Sequence, residues 1–303
     1  MNKILSQLQG YWLWLDKRLF LQAVLFTTSI VFCNYFFKIN STINEYPHQL
    51  QYVYWYGLFF VALALPYAMA TPIARERWGP VKKWLPLLII APAIFSWKMT
   101  YSFQFAFSDS LHGNIYWNTV AYWPFKLMVI LLMLGTVWLV FGRDPSWYGL
   151  RTTRLSYRPY LIMLVLMMPL IAAAATQADF LSLYPKLKSL KHFPAAENHG
   201  WYQLLYELSY GSDFVGIEAF FRGFLILGFA RWTGKDCILP MAVFYCTIHF
   251  GKPLGECISS FFGGLILGVV TYHSRSIWGG LLVHLGIAWL MELGGYFGRL
   301  YSN

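Results

Sequence analysis

The chain has 303 residues, of which 58% are hydrophobic, 20% aromatic and only 12% charged, and its mean hydropathy is +0.48. Soluble domains carry about 25% charged residues, so this composition excludes an ordinary soluble domain and points to a polytopic membrane protein. The net charge of +10 does not mark a nucleic-acid partner, because the basic residues sit in short loops between apolar runs, where they set topology.

In chain order, the apolar runs predict an all-α transmembrane bundle of about nine helices. The predicted spans are Leu19–Phe37, Tyr52–Ala74, Trp84–Tyr101, Phe125–Phe141, Pro159–Thr176, Leu204–Trp232, Ile238–Phe250, Ile258–Tyr272 and Ile277–Phe297. The first follows Lys17-Arg18 and is long enough to span rather than to be cleaved as a signal peptide. The seventh is too short to cross a core of about 30 Å alone, so it is tilted or half-buried in protein. Trp and Tyr cluster at span ends, as at Tyr52–Tyr56, Tyr116-Trp117 and Trp147-Tyr148, where an aromatic belt belongs.

Every second loop is basic. Lys3, Lys17 and Arg18 precede the first span; Arg75, Arg77, Lys82 and Lys83 follow the second; Arg143, Arg151, Arg154 and Arg158 follow the fourth. Arg231 and Lys235 follow the sixth and Arg275 the eighth, while Lys186, Lys188 and Lys191 fall on the opposite side. The positive-inside rule then puts the N-terminus in the cytoplasm. The expected setting is a bacterial inner membrane.

Residues 1–142 form the expected N-terminal part, with the first four spans and almost no buried charge. Residues 143–303 form the expected core, with the close-packing glycines Gly264/Gly268 and Gly294/Gly298 at GxxxG spacing. The loop 178–203 is long, polar and placed to act as a lid or rim. Four cysteines, Cys33, Cys237, Cys246 and Cys257, make neither a metal finger nor a secreted disulfide framework. No internal repeat supports a transporter built from duplicated halves.

Ionisable groups at bilayer depth cost several kcal/mol unless paired or hydrated, so by default they read as functional. Glu218 and Arg222 interrupt one apolar run, His249 ends another, and His284 sits in a third, with Glu292 following it. Glu218 and Arg222 are spaced i, i+4, and Glu207 falls on nearly the same face. The bland alternatives are a structural ion pair for Glu218 and Arg222, and core histidines that donate to carbonyls for His249 and His284. His273 reads as interfacial, and His48, His112, His192 and His199 as loop residues. One carboxylate and two imidazoles permit two chemistries. A carboxylate activates water while one imidazole positions it and the other supports an oxyanion. Alternatively, Glu218, His249 and His284 ligate a divalent metal such as zinc, although no HExxH pairing is present.

At these residues the chain resembles the CPBP family of CAAX proteases and bacteriocin-processing (Abi) intramembrane proteins, over roughly Trp147 to Met291. The EExxxR motif is matched by Ile217-Glu218-Ala219-Phe220-Phe221-Arg222, followed by Gly223-Phe224-Leu225. The FxxxH motif is matched by Tyr245–His249, and the HxxxN or HxxxD motif by His284–Ala288. Ser276–Gly280 and Trp147–Arg151 also look like the family. Two positions depart from it. Ile217 stands where the family has its water-activating glutamate, and Ala288 where it has an oxyanion helper.

The resemblance implies an intramembrane endopeptidase whose partners are the lipid bilayer and a membrane-bound or prenylated-like peptide or protein substrate, with no nucleic acid. In the family the second glutamate, matched here by Glu218, looks like the partner of the arginine; with Ile217 at the first position, Glu218 is expected to serve as general base, His249 as water-positioning group, His284 as oxyanion support and Arg222 as the residue that holds Glu218. A one-residue change in helix phase, about 100°, would turn Glu218 toward the histidines. Asp213 and Glu256 are the other carboxylates available in place of Ile217. The rival is a catalytically impaired relative that serves as a membrane scaffold or self-immunity protein.

Overall fold

The computed structural model describes residues 2–142, 146–151, 156–187 and 199–302. Arg143, Arg154, Lys188, Lys191 and His192 lie outside the described residues, as do parts of the loops 143–158 and 178–203. All regular structure among the described residues is helical.

Helix α1 spans Asn2–Trp14 and α2 Lys17–Phe36. The α2 start is fixed by Asp16, whose carboxylate accepts the Leu19 N–H at 2.9 Å, satisfying one of the amides left open at a helix N-terminus. Helices α3 (Ile39–Glu45), α4 (His48–Ala74) and α5 (Val81–Thr100) follow. Helix α6 runs Leu111–Phe141, so it begins well before the expected Phe125. The polar residues of its first turns do not break it, because they serve the preceding segment. Asn114 and Asn118 accept the backbone N–H of Phe107 and Phe105, each at 2.8 Å. His48 and His112 accordingly stand in first helical turns rather than in loops.

Next come α7 (Arg158–Ala174), α8 (Ala178–Leu183) and α9 (His199–Glu218). The expected sixth span is not one uniform helix. After α9 the chain continues as a π-helical stretch, Ala219–Gly228, and then as α10, Phe229–Thr233. Helices α11 (Ile238–Thr247), α12 (Leu254–Ser274) and α13 (Trp278–Ser302) complete the chain.

Among the described residues, five helices are long and apolar enough to cross a membrane: Lys17–Phe36, His48–Arg77, Leu111–Phe141, Leu254–Ser274 and Trp278–Tyr301. Exposed Leu21, Leu25 and Phe32 of α2 suit lipid contact. The other expected spans fall short for visible reasons. Helix α5 carries Lys82, Lys83 and Lys98, α9 carries Glu207, Asp213 and Glu218, and α7 and α11 have only 17 and 10 residues.

The chain divides into two compact units. The first comprises Met1–Tyr101, Met133–Leu155 and Ala219–Trp278. Its core is a cluster of phenyl rings: Phe59 of α4, Phe95 of α5, Phe220 and Phe221 of the π stretch, and Phe244 of α11. The rings meet at centroid distances of 4.9–5.9 Å, mostly edge-on or tilted. Such pairs add about 0.5–1.5 kcal/mol each beyond area burial. Helices α11 and α12 approach closely at the expected glycines: a Cβ on Gly264 would lie 2.9 Å from the Tyr245 ring, and one on Gly268 2.7 Å from Met241. Trp147, Tyr148 and Gly149 all adopt left-handed backbone. This turn presses the Tyr148 carbonyl against Gly223, where a Cβ would lie 2.7 Å from that oxygen, so the π stretch needs glycine there.

The second unit comprises Ser102–Leu132, Ser156–Glu218 and Gly279–Asn303. Helix α13 turns glycines toward α7 and the segment after it: Gly279 faces Tyr160, Gly286 Leu164, Gly294 Ile171 and Gly295 Tyr184. Ile171, Ala175, Phe180 and Tyr184 bury a common core there with Ile287, Leu290 and Met291. Helix α9 packs on the first part of α6, where Trp123 meets Tyr206 and Tyr210 and the Tyr116 hydroxyl donates to the Tyr202 carbonyl at 2.9 Å.

The N-terminal spans do hold buried charge, contrary to expectation. Lys98 is buried in α5 with its ammonium 5.6 Å from the Phe95 ring centroid. Lys126 of α6 is 2% exposed, and its ammonium donates to the Tyr122 hydroxyl one turn earlier. Long aliphatic stems let both lysines bury their length while an aromatic neighbour receives the charge.

Candidate functional site

Glu218, the last residue of α9, is fully buried, and its carboxylate accepts a hydrogen bond from His284 Nδ1 at 3.1 Å. An ionised carboxylate only accepts, so Nδ1 is the donor of this bond. The sequence brings these residues together through one face of α9. Gly211, Phe214 and Glu218 recur at helical spacing. Gly211 admits Leu285 and Trp289 of α13, while the Phe214 ring meets the His284 ring edge-on at 4.7 Å. His284 keeps 14% of its side chain exposed, so the pair is accessible through the imidazole alone.

In the first unit, Arg222 is fully buried in the π stretch, with its guanidinium carbon 4.2 Å from the centre of the Tyr245 ring. Tyr245 also holds His249. Its carbonyl lies 2.9 Å from His249 Nδ1, and the two rings meet at 4.8 Å. That carbonyl belongs to the last turn of α11, where helical acceptors lack intrahelical partners. His249 therefore caps the helix with Nδ1–H, as the bland reading has it. Both expected histidines thus commit Nδ1 to a protein oxygen.

Glu218 and His284 pair within the second unit, whereas Arg222 and His249 are joined through Tyr245 within the first. Ile217 and Ala288 are buried at 9% and 5% exposure and supply no polar group. Glu256 forms an ion pair with Lys252 at 3.1 Å at the start of α12, which commits it to that helix end. Asp213 lies one turn before Ile217 and shares its stripe, about 100° around α9 from the Glu218 face. Glu292, grouped with the site residues by sequence, has a structural duty: its carboxylate accepts the backbone N–H of Lys186 at 2.9 Å and of Leu187 at 3.3 Å. Among the described residues, no three His, Cys, Asp or Glu side chains gather in a way that could hold a metal ion.

Phe214, four residues before Glu218, escaped the sequence reading, and Tyr245, four before His249, was read as the first position of the FxxxH match but given no role. The i, i+4 spacing was the available signal, since it places each ring over the next functional side chain.

Residues 209–290 match the family model described as type II CAAX prenyl endopeptidase Rce1-like. No curated protein and no solved structure matches the chain. The matched segment is a minority of the chain, but it contains Glu218, Arg222, His249 and His284. The chain is an integral membrane protein whose residues 209–290 are similar to the type II CAAX prenyl endopeptidase Rce1-like family, in keeping with its resemblance to the CPBP family.

Proposed function

We propose that the chain is an intramembrane endopeptidase that hydrolyses a membrane-bound, prenylated-like peptide near the cytoplasmic face of a bacterial inner membrane. The observation that carries the reading is the buried Glu218–His284 hydrogen bond of 3.1 Å inside the family-matched segment. The bond refines the roles expected from the family. Glu218 already serves His284 through Oε1, so the carboxylate acts through the imidazole. His284 Nε2 takes a proton from water as the water oxygen bonds to the scissile carbonyl carbon, and Glu218 stabilises the imidazolium that forms. The C–N bond then breaks, and the proton passes to the departing amine. The resemblance to the family supports a water-positioning role for His249, whose ring packs with Arg222 on Tyr245. No step is routed through a metal.

A second reading, a catalytically impaired scaffold or self-immunity protein, is favoured by one observation. Ile217 and Ala288 are buried apolar residues at two positions where the family is polar. One assay separates the two readings. Purified full-length chain in liposomes is given a farnesylated peptide and its unprenylated counterpart, with and without chelator, and cleavage is followed by mass spectrometry. The endopeptidase reading expects cleavage of the farnesylated peptide by wild type and none by His284→Ala. If both variants leave the peptide intact, the impaired reading stands. If chelator abolishes turnover, the metal-free mechanism is wrong.

A further inference from the structure

We propose that Cys246 and Cys257 are a redox-active thiol pair whose disulfide staples the turn carrying His249. The proposal is independent of the proteolytic reading. Both thiols are fully buried, and their sulfurs lie 3.9 Å apart across the contact between α11 and α12. Each thiol also points at the other's backbone: Cys246 Sγ lies 3.3 Å from the Cys257 carbonyl, and Cys257 Sγ 3.8 Å from the Cys246 carbonyl. The contact follows from the glycines of α12. A Cβ on Gly264 would lie 3.6 Å from the Ala242 backbone, and one on Gly268 3.1 Å from Ile238. Helices packed this closely bring Cα atoms toward the 4.4–6.8 Å range, roughly, that a disulfide spans.

The pair brackets the chain reversal between α11 and α12. The connection runs from Ile248 to Pro253, and His249 is its second residue. A bond between Cys246 and Cys257 therefore closes a small ring of chain around a site histidine. Short closed loops lose backbone freedom at once, so the bond fixes the placement of His249. The turn lies at an exposed end of the helices, with Gly251, Leu254 and Gly255 exposed and the Lys252–Glu256 ion pair beside them. Local opening of this turn gives a small oxidant its route to the thiols. Cys33 and Cys237 are the other free cysteines.

The oxidant is a small lipid-permeable disulfide. One thiolate attacks it to form a mixed disulfide and expels one thiol. The second cysteine then displaces the other thiol and completes the protein bond. Both cysteine protons and two electrons end on the two released thiols.

The test uses purified full-length chain in detergent or liposomes, treated with dipyridyl disulfide, denatured, alkylated and analysed by mass spectrometry. The alkylatable thiols should fall from four to two, and digestion should yield a Cys246–Cys257 cross-linked peptide. Amide exchange across 248–253 should slow several-fold on oxidation and recover with dithiothreitol. The Cys257→Ser variant should form no bridge. Should that variant fail to fold, the double variant Cys33→Ser/Cys237→Ser keeps the test open, because it must lose both remaining thiols to the same bridge. Four persisting thiols, a bridge through Cys33 or Cys237, a retained pyridyl adduct, or unchanged exchange in the bridged protein would each overturn the proposal.

Discussion

His284 donates through Nδ1 to the carboxylate of Glu218, a residue 66 positions away in sequence, at 3.1 Å. Gly211 of α9 admits Leu285 of α13 beside this bond, and Gly286 of α13 admits Leu164 of α7. The pair is thus a product of glycine placement as much as of its own charges.

The glycines of α13 give a direct stability test. A Cβ on Gly298 would collide with the backbone carbonyl of Ala175, which cannot rotate away, whereas a Cβ on Gly263 of α12 meets nothing within 4 Å. Gly298→Ala should therefore cost about 1–3 kcal/mol by overpacking. Gly263→Ala should be neutral or stabilise by up to about 1 kcal/mol, because it removes a flexible helical residue. Thermal unfolding in one detergent compares them, and equal midpoints would refute the packing scheme.

Glu292 should behave as an anchor rather than a catalyst. Glu292→Ala leaves the N–H groups of Lys186 and Leu187 without their acceptor, a loss of about 1–3 kcal/mol. Limited proteolysis should then cut the segment 178–187 faster, while turnover of the intact protein stays close to wild type. A collapse of turnover at unchanged protease resistance would assign Glu292 to the chemistry instead.

The fold class was legible because lipid makes polarity conspicuous, and the same contrast singles out Glu218, Arg222, His249 and His284 as candidates: they interrupt apolar runs, and each has a packed polar or aromatic neighbour. Helix-phase detail was less legible. The π stretch Ala219–Gly228 looks like continuous apolar helix in sequence, so the i, i+4 relation of Glu218 and Arg222 does not carry over as it would in a uniform α-helix. Lys98 and Lys126 were missed because each sits in an aromatic stretch that resembles a membrane interface. Glu292 was grouped with the site because sequence alone cannot tell a carboxylate that caps amides from one that activates water.

The basic-loop pattern predicts a cytoplasmic N-terminus and a cytoplasmic 142–158 loop. A cysteine introduced as Ser146→Cys, in a background where Cys33 is replaced, should resist a membrane-impermeant maleimide added to intact cells and react once the cells are opened. Ready labelling from outside would invert the topology.

The most direct test of the central claim is the turnover of Glu218→Gln on the farnesylated peptide. Glutamine keeps the size of the side chain but removes the charge that holds His284 Nδ1–H and stabilises its imidazolium. Turnover should fall by about 10²–10⁴-fold, the usual contribution of an acid–base group, with the unfolding midpoint little changed. Wild-type turnover in a folded Glu218→Gln protein would contradict the account.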